Sequence, residues 1–258
     1  MIRQTLKILQ VVLLMGIFSL LFACKRVNPV GPVFEESYHK KLACLPDFEM
    51  KYKMPGNMTE YFNLAALYAK ESPEEMSFDC ASRLEMSSEN SQWSQALEID
   101  GSIWRYYAKN KKSEANEMAT LYISIYLNER EKNTSLEEQI AKGYDQYFNG
   151  PDGNNTWQRQ NNPKLDAFPE NEKFLILTPP DHFQWIVINN IGYLNWKVRE
   201  IIDHEYSYHA LEINPDYFLT IKTRYSIVAR TDEELAATTQ QVESDIQRFF
   251  DEIQVIDQ

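Results

Sequence analysis

Leu121-Tyr122-Ile123-Ser124-Ile125-Tyr126-Leu127 alternates without a break, and Ser135-Leu136-Glu137-Glu138 follows it closely. Successive side chains of a strand point to opposite faces, so Leu121, Ile123, Ile125 and Leu127 share one face and Tyr122, Ser124 and Tyr126 the other. Ser135 and Glu138 have capping-box spacing, in which each side chain satisfies a backbone N–H that the start of a helix leaves unpaired. Leu136, Ile140, Tyr144, Tyr147 and Phe148 then trace one helical stripe, which Asn149-Gly150 ends. A half-wet strand running into an amphipathic helix sets the expectation for the whole chain.

Upstream, residues 103–109 read as a strand with Trp104, Tyr106 and Ala108 on one side and Arg105, Tyr107 and Lys109 on the other. Polar Asn110 to Asn116 makes the turn. Phe48-Glu49-Met50-Lys51-Tyr52-Lys53-Met54 alternates strictly and reads as a strand with one wet face, stopped by Pro55-Gly56. Asn57 and Glu60, followed by Tyr61, Leu64, Ala65 and Tyr68, predict a helix to about residue 70, and Ser72-Pro73-Glu74-Glu75 starts another.

Downstream, Pro151 to Lys173 is polar and turn-rich, and is expected to be an irregular loop. Strands are then expected at 174–177, 185–193, 194–202, 206–213 and 217–228. Thr231 and Glu234 cap a closing helix whose Leu235, Val242, Ile246, Phe249 and Ile253 form a core-facing stripe. Strands dominate and helices sit between runs of them, so the fold class is α+β: a mainly antiparallel sheet packed by helices in one domain over 47–258.

At the N-terminus, Arg3 and Lys7 precede an apolar run from Ile8 to Phe22, the layout of an export signal. The run is shorter than the ~20 apolar residues that span a bilayer comfortably, which weighs against an uncleaved transmembrane anchor. It ends in Leu21-Phe22-Ala23-Cys24, which resembles the lipobox of bacterial lipoproteins. The resemblance implies a signal peptide over 1–23, diacylglycerol on Cys24 and a lipidated tether over 24–46. Lys25 follows the cysteine, and the absence of Asp there implies sorting to the outer membrane, facing the periplasm. Twenty-six basic residues against 38 acidic ones give a net charge of −12, and cleavage would remove two of the basic ones. Such a surface repels nucleic acid and anionic headgroups, so attachment to the bilayer is expected to rest on lipid alone. One acyl chain binds only marginally, so an anchor of this kind needs two or more.

Cys44 and Cys80 remain, and in an oxidising compartment an even pair is expected to be bridged. A loop of that length would constrain the unfolded chain by about 3 to 4 kcal/mol. Two buried thiols are the alternative.

The order of elements, with an initial Phe48–Met54 strand, a strand entering a helix over 121–148, late hairpins and a strand feeding the final helix, resembles the PsbP-like fold. That fold is shared with DcrB-type bacterial lipoproteins. Its members are mostly accessory or binding proteins, so the resemblance carries no catalytic residue over.

The sharpest catalytic lead is Asp203-His204-Glu205 with His209. A zincin needs H-E-x-x-H, which puts two imidazoles on one helical face; H-E-Y-S-Y-H is one residue too long, and on a strand the two histidines face opposite ways. Asp152-Gly153-Asn154-Asn155-Thr156 opens like a calcium loop, but Trp157 and Pro163 stand where that loop requires glycine and glutamate. No G-x-S-x-G, Walker loop or G-x-G-x-x-G occurs, and no cofactor is expected. Trp104, Tyr106, Tyr122, Tyr126, Trp185, Trp196, Tyr206 and Tyr208 fall on expected strands and are expected to be core, though a row of rings could also bind sugars or a partner chain.

The functional expectation is a membrane-anchored, non-catalytic module that binds a protein or envelope component. Its contact surface is expected in the 151–173 loop, at Asp152, Asn154, Asn155, Trp157 and Arg159, because Trp and Arg are enriched at binding hot spots. The alternative is an envelope hydrolase with dispersed catalytic residues.

Overall fold

A computed structural model of the chain describes residues 29–34, 36–41, 45, 48–54, 59–62, 96–108, 116–162, 180, 182–201 and 204–257. Four strands come first: β1 (Pro29–Val30), β2 (Glu36–Lys41), β3 (Phe48–Met54) and β4 (Thr59–Phe62). The long pair β5 (Ala96–Ala108) and β6 (Glu117–Glu129) leads into helices α1 (Leu136–Asn149) and α2 (Asn154–Asn161). Then come β7 (Gln184–Ile188), β8 (Ile191–Ile201), β9 (His204–Asn214), β10 (Tyr217–Ile227), helix α3 (Asp232–Asp251) and β11 (Gln254–Asp257).

All strand pairs are antiparallel, and the fold is α+β as the patterning predicts. The large sheet runs β1-β5-β6-β10-β9-β8-β7, with β4 also on β5; the small sheet runs β11-β3-β2. β10 is therefore an interior strand, held by β6 from Tyr217↔Glu129 to Ile227↔Ala119 and by β9 on its other side.

One face of the large sheet carries Trp104, Leu121, Ile123, Ile125, Leu127, Leu219 and Ile221, which pack with Phe249 and Phe250 of α3 and with Met50 and Tyr52 of β3. Trp104 is fully buried and meets Phe249 edge-on at 5.8 Å and Phe34 at 5.2 Å. Burying a large apolar side chain contributes about 1.5–3 kcal/mol, so this cluster, with helix and small sheet on one side, holds most of the core. On the opposite face, the described residues form a second cluster toward β8 and β9. There Leu136, Ile140 and Phe148 of α1 pack on Leu194, Trp196, Tyr208 and Phe218. Trp196 stacks on Tyr208 at 5.1 Å, and Tyr144 meets Tyr208 edge-on at 6.1 Å. Ser135 caps α1 through a full capping box, and Thr231 caps α3 by accepting from the Glu234 N–H.

Several expectations are corrected. The stretch 24–46, expected as a tether, supplies β1 and β2, and Phe34 and Leu45 enter the core. Short polar strands form there because β3 and β5 offer edges to pair with, which a local pattern does not reveal. Glu60 and Tyr61, expected in a helix, lie in β4 on β5; the rest of the expected helices over 57–90 lies outside the described residues, as does the expected strand at 174–177. The run 185–193 is not one strand. It turns at Asn189-Asn190, both at positive φ (50° and 65°), between paired Ile188 and Ile191. A two-residue hairpin turn of matching twist needs positive φ at both positions, and Asn tolerates it. Asn189 also donates to the carbonyls of Asp251 and Ile253 at 2.9 Å, tying the turn to the end of α3. Leu235, expected in the core stripe of α3, is 45% exposed. Among the described residues no helix is long and apolar enough to cross a membrane.

Candidate functional site

Residues 154–161, expected to be irregular, are the helix α2. Gly153 starts it in extended backbone, with no side-chain cap. Asn155 is buried, at 1% exposure, and donates its side-chain amide to Asn149 Oδ1 at 2.9 Å; Thr156 donates to the Asn149 carbonyl at 3.0 Å. The first turn of α2 thus satisfies the polar end of α1, and Asn155 is a structural contact, not a surface one. Asp152 is exposed in the preceding turn and Asn154 is half-buried. Trp157 is 56% exposed, and Arg159 is exposed with Nη1 3.5 Å from Asn149 Oδ1. Two residues apart on a helix, they do not share a face. The five residues expected to act together are divided between an internal joint and separate surface positions. Residues 163–173, and Cys24, Cys44 and Cys80, lie outside the described residues.

His209 lies on the covered face of β9, against Phe250 at 4.2 Å and Tyr193 at 6.1 Å between ring centres. Asn195 Nδ2 lies 3.1 Å from its Nε2 and donates to it, so Nδ1 carries the proton, buried without a partner among the described residues. Burial holds its pKa down to about 4, and it is a neutral core residue. Glu205 is exposed and pairs with Lys197 at 2.7 Å. No group of three or more metal-ligating side chains occurs among the described residues.

Of the aromatic residues on strands, Trp104, Tyr106, Trp196, Tyr206 and Tyr208 are buried. Trp185 is exposed and donates to Glu137 at 2.7 Å. Tyr122 and Tyr126 are half-buried and belong to a feature that local patterning does not show. Beside the part of the sheet covered by α1, a recess of about 230 Å³ opens over β6, β10 and β9. Tyr122, Ser124, Tyr126, Tyr206, Lys222 and Arg224 line it.

Strand alternation builds this recess. Lys222 and Arg224 are two apart on β10, across from Ser124 and Tyr122 of β6, so all four point the same way. Lys222 Nζ sits 4.0 Å above the Tyr206 ring and 5.4 Å from that of Tyr208. The Arg224 guanidinium lies 4.7 Å over Tyr122 and 5.5 Å from Tyr206, and its Nη1 donates to the Tyr206 hydroxyl at 2.9 Å. The electron-rich ring faces attract and hold both cations. Arg224 Nε is buried with no partner among the described residues.

Glu98, opposite Tyr126 on β5, completes the electrostatics. Burial raises its pKa, while a Ser124 hydrogen bond and the Lys222 charge oppose that rise. At the far end of the face, Arg105 and Glu117 neutralise each other at 2.8 Å. The recess therefore brings hydroxyl and cationic side chains together on one face of the sheet. Two cations at alternate positions were visible in Phe218-Leu219-Thr220-Ile221-Lys222-Thr223-Arg224, but their meaning depends on β10 being interior. The chain matches no family model, no curated protein and no solved structure.

Proposed function

We propose that the protein is a lipid-anchored, non-catalytic binding module of the bacterial envelope, and that the recess on β6, β9 and β10 is its contact surface. The anchor is acylated Cys24, which follows the lipobox-like Leu21-Phe22-Ala23, and Lys25 directs it to the outer membrane on its periplasmic side. The contacted component is a protein or other envelope constituent.

The observation that supports the contact surface is the pair Lys222 and Arg224 on an interior strand. Both are half-buried, and withdrawing a cation from water is costly unless it is paired or serves a ligand. Here they rest on tyrosine faces, with Glu98 near enough to Lys222 to feel its charge.

The test has two arms. Cys24→Ser should abolish lipid labelling and move the protein out of the membrane fraction; unchanged labelling refutes the anchor. A photo-crosslinking residue at Tyr126, in the full chain in its own envelope, should capture a component that the same residue at Leu235, exposed on α3, does not. Equal capture from both positions refutes the recess as the contact surface.

A further inference from the structure

Among the described residues, the outer strands of the two sheets differ in how they are guarded. An unpaired strand edge is a template for another chain, and shortness, proline or charge blunts it. β1 has two residues and begins with Pro29, and β4 carries Glu60. In the small sheet, β2 carries Glu36, Lys40 and Lys41, and β11 ends on Asp257. β7, Gln184-Trp185-Ile186-Val187-Ile188, has no charge, no proline and no irregularity in its register on β8. Ile186 and Ile188 lean on the main core, whereas Trp185 and Val187, on the other face, are 54% and 75% exposed.

The turn at Asn189-Asn190 decides which backbone groups of β7 point outward. Residues that close a two-residue hairpin exchange both of their backbone hydrogen bonds, so Ile188 bonds to Ile191 and, by alternation, Ile186 to Tyr193 and Gln184 to Asn195. The N–H and C=O groups of Trp185 and Val187 therefore point away from β8, to a side where no described strand pairs with them. The same two residues thus supply both a hydrogen-bonding edge and an apolar surface. Trp185 is already oriented by its indole bond to Glu137, so less freedom is lost when it makes a contact.

This pattern is complementary to itself. In an antiparallel pairing about a two-fold axis through Ile186, Trp185 of one copy faces Val187 of the other, and Val187 faces Trp185. Each pair exchanges both outward hydrogen bonds, and an aromatic ring meets a β-branched side chain, a favourable cross-strand combination. β7 offers no charge for a partner of opposite sign to read; the match it offers is to its own sequence. We infer that β7 is a homotypic docking edge, at which two copies of the chain pair through Trp185 and Val187 and join their large sheets into one. Five residues bury less than the ~800 Å² per partner of a stable complex, so the pairing is reversible. It depends neither on the recess nor on the anchor.

The test is sedimentation equilibrium of the full chain in density-matched detergent, over a range of protein concentrations. Salt is held at about 0.15 M, where the Debye length is about 8 Å and the repulsion between two acidic chains is screened. A reversible monomer–dimer equilibrium is expected. Val187→Pro removes an outward N–H and leaves the bonds to β8 in place, a position where an edge strand tolerates proline. It should raise the dissociation constant about tenfold or more, because symmetry removes the bond at both ends. Should that variant unfold, Val187→Glu puts a charge at the same exposed position and should weaken the dimer likewise. A photo-crosslinking residue at Val187 should join two copies through peptides that both contain residues 184–188. A monomer at every concentration overturns the inference. So does a dimer equally stable in the folded variant, which belongs to the micelle, or a crosslink from Val187 to its own chain or to a different protein.

Discussion

Replacing His209 with leucine removes the imidazole that, among the described residues, is buried in the α3-facing core, and so isolates its effect on acid stability. The ring is 8% exposed, and its neighbours Tyr193, Asn195 and Phe250 carry no charge to offset a proton. Burial lowers its pKa from 6.5 to about 4. The unfolded chain therefore takes up the proton near pH 6.5 and the folded chain only near pH 4. Between those values the unfolded state holds more protons, so stability is intact above pH 6.5 and is lost as pH falls. Each pKa unit corresponds to about 1.4 kcal/mol, which makes the loss about 2 to 3 kcal/mol by pH 4.5. Asp245 and Glu98, whose pKa values burial raises, act with the opposite sign, because the folded state binds their protons first. The useful quantity is therefore the difference between His209→Leu and the parent. Asn195 keeps an acceptor in the variant, the Tyr208 carbonyl at 2.9 Å, so the two proteins should agree within about 1 kcal/mol at pH 7.5. Urea unfolding followed by circular dichroism at pH 7.5, 6.5, 5.5 and 4.5 should show the variant gaining steadily on the parent. Parallel curves across that range would refute the buried, neutral assignment of His209.

Gly31→Ala would place a Cβ 2.7 Å from the buried Tyr106 ring and 3.1 Å from Asp245 Oδ2; chemical denaturation should show a loss of about 1–3 kcal/mol. Asn155→Ala leaves Asn149 Oδ1 without its 2.9 Å donor and should cost about 1–3 kcal/mol in the same assay, whereas Trp157→Ala on the exposed side of α2 should stay within about 0.5 kcal/mol. Equal effects at 155 and 157 would contradict the assignment of α2 as a joint. Mass analysis of the non-reduced mature protein should find Cys44 and Cys80 oxidised as a pair, and two thiols alkylated under native conditions would disprove the bridge.

Where periodicity and capping agreed, reading the sequence locally was sufficient. Leu121 to Leu127 and the Ser135–Glu138 box both do in the fold what their spacing implies, because strand pleat and helix caps are local properties. The departures share a cause. β1, β2 and β4 exist because β5 and β3 offer hydrogen-bonding edges, and no residue within Pro29–Val30 or Thr59–Phe62 announces its partner. α2 is polar along its length and is held by Asn155 beneath Asn149, a contact that composition cannot rank. The hairpin at Asn189-Asn190 was hidden by apolar residues on both sides, although paired asparagines between such runs are a usable turn signal. The recess depended on the least local fact of all, that β10 lies between β6 and β9. Only then do Lys222 and Arg224 change from strand residues facing water to cations set into the middle of a sheet.

That same placement of β10 sets the order in which the chain can fold. β6 ends at Glu129 and its second neighbour begins at Tyr217, so every rung between them closes a loop of close to a hundred residues. Pairings so distant in sequence delay folding, because loop-closure entropy is lost before the contacts compensate for it. Until β10 pairs with it, β6 presents an open edge and a row of uncovered aliphatic side chains. A chain in that condition is a template for strand addition by neighbours, so the late arrival of β10 is the step of folding most exposed to aggregation.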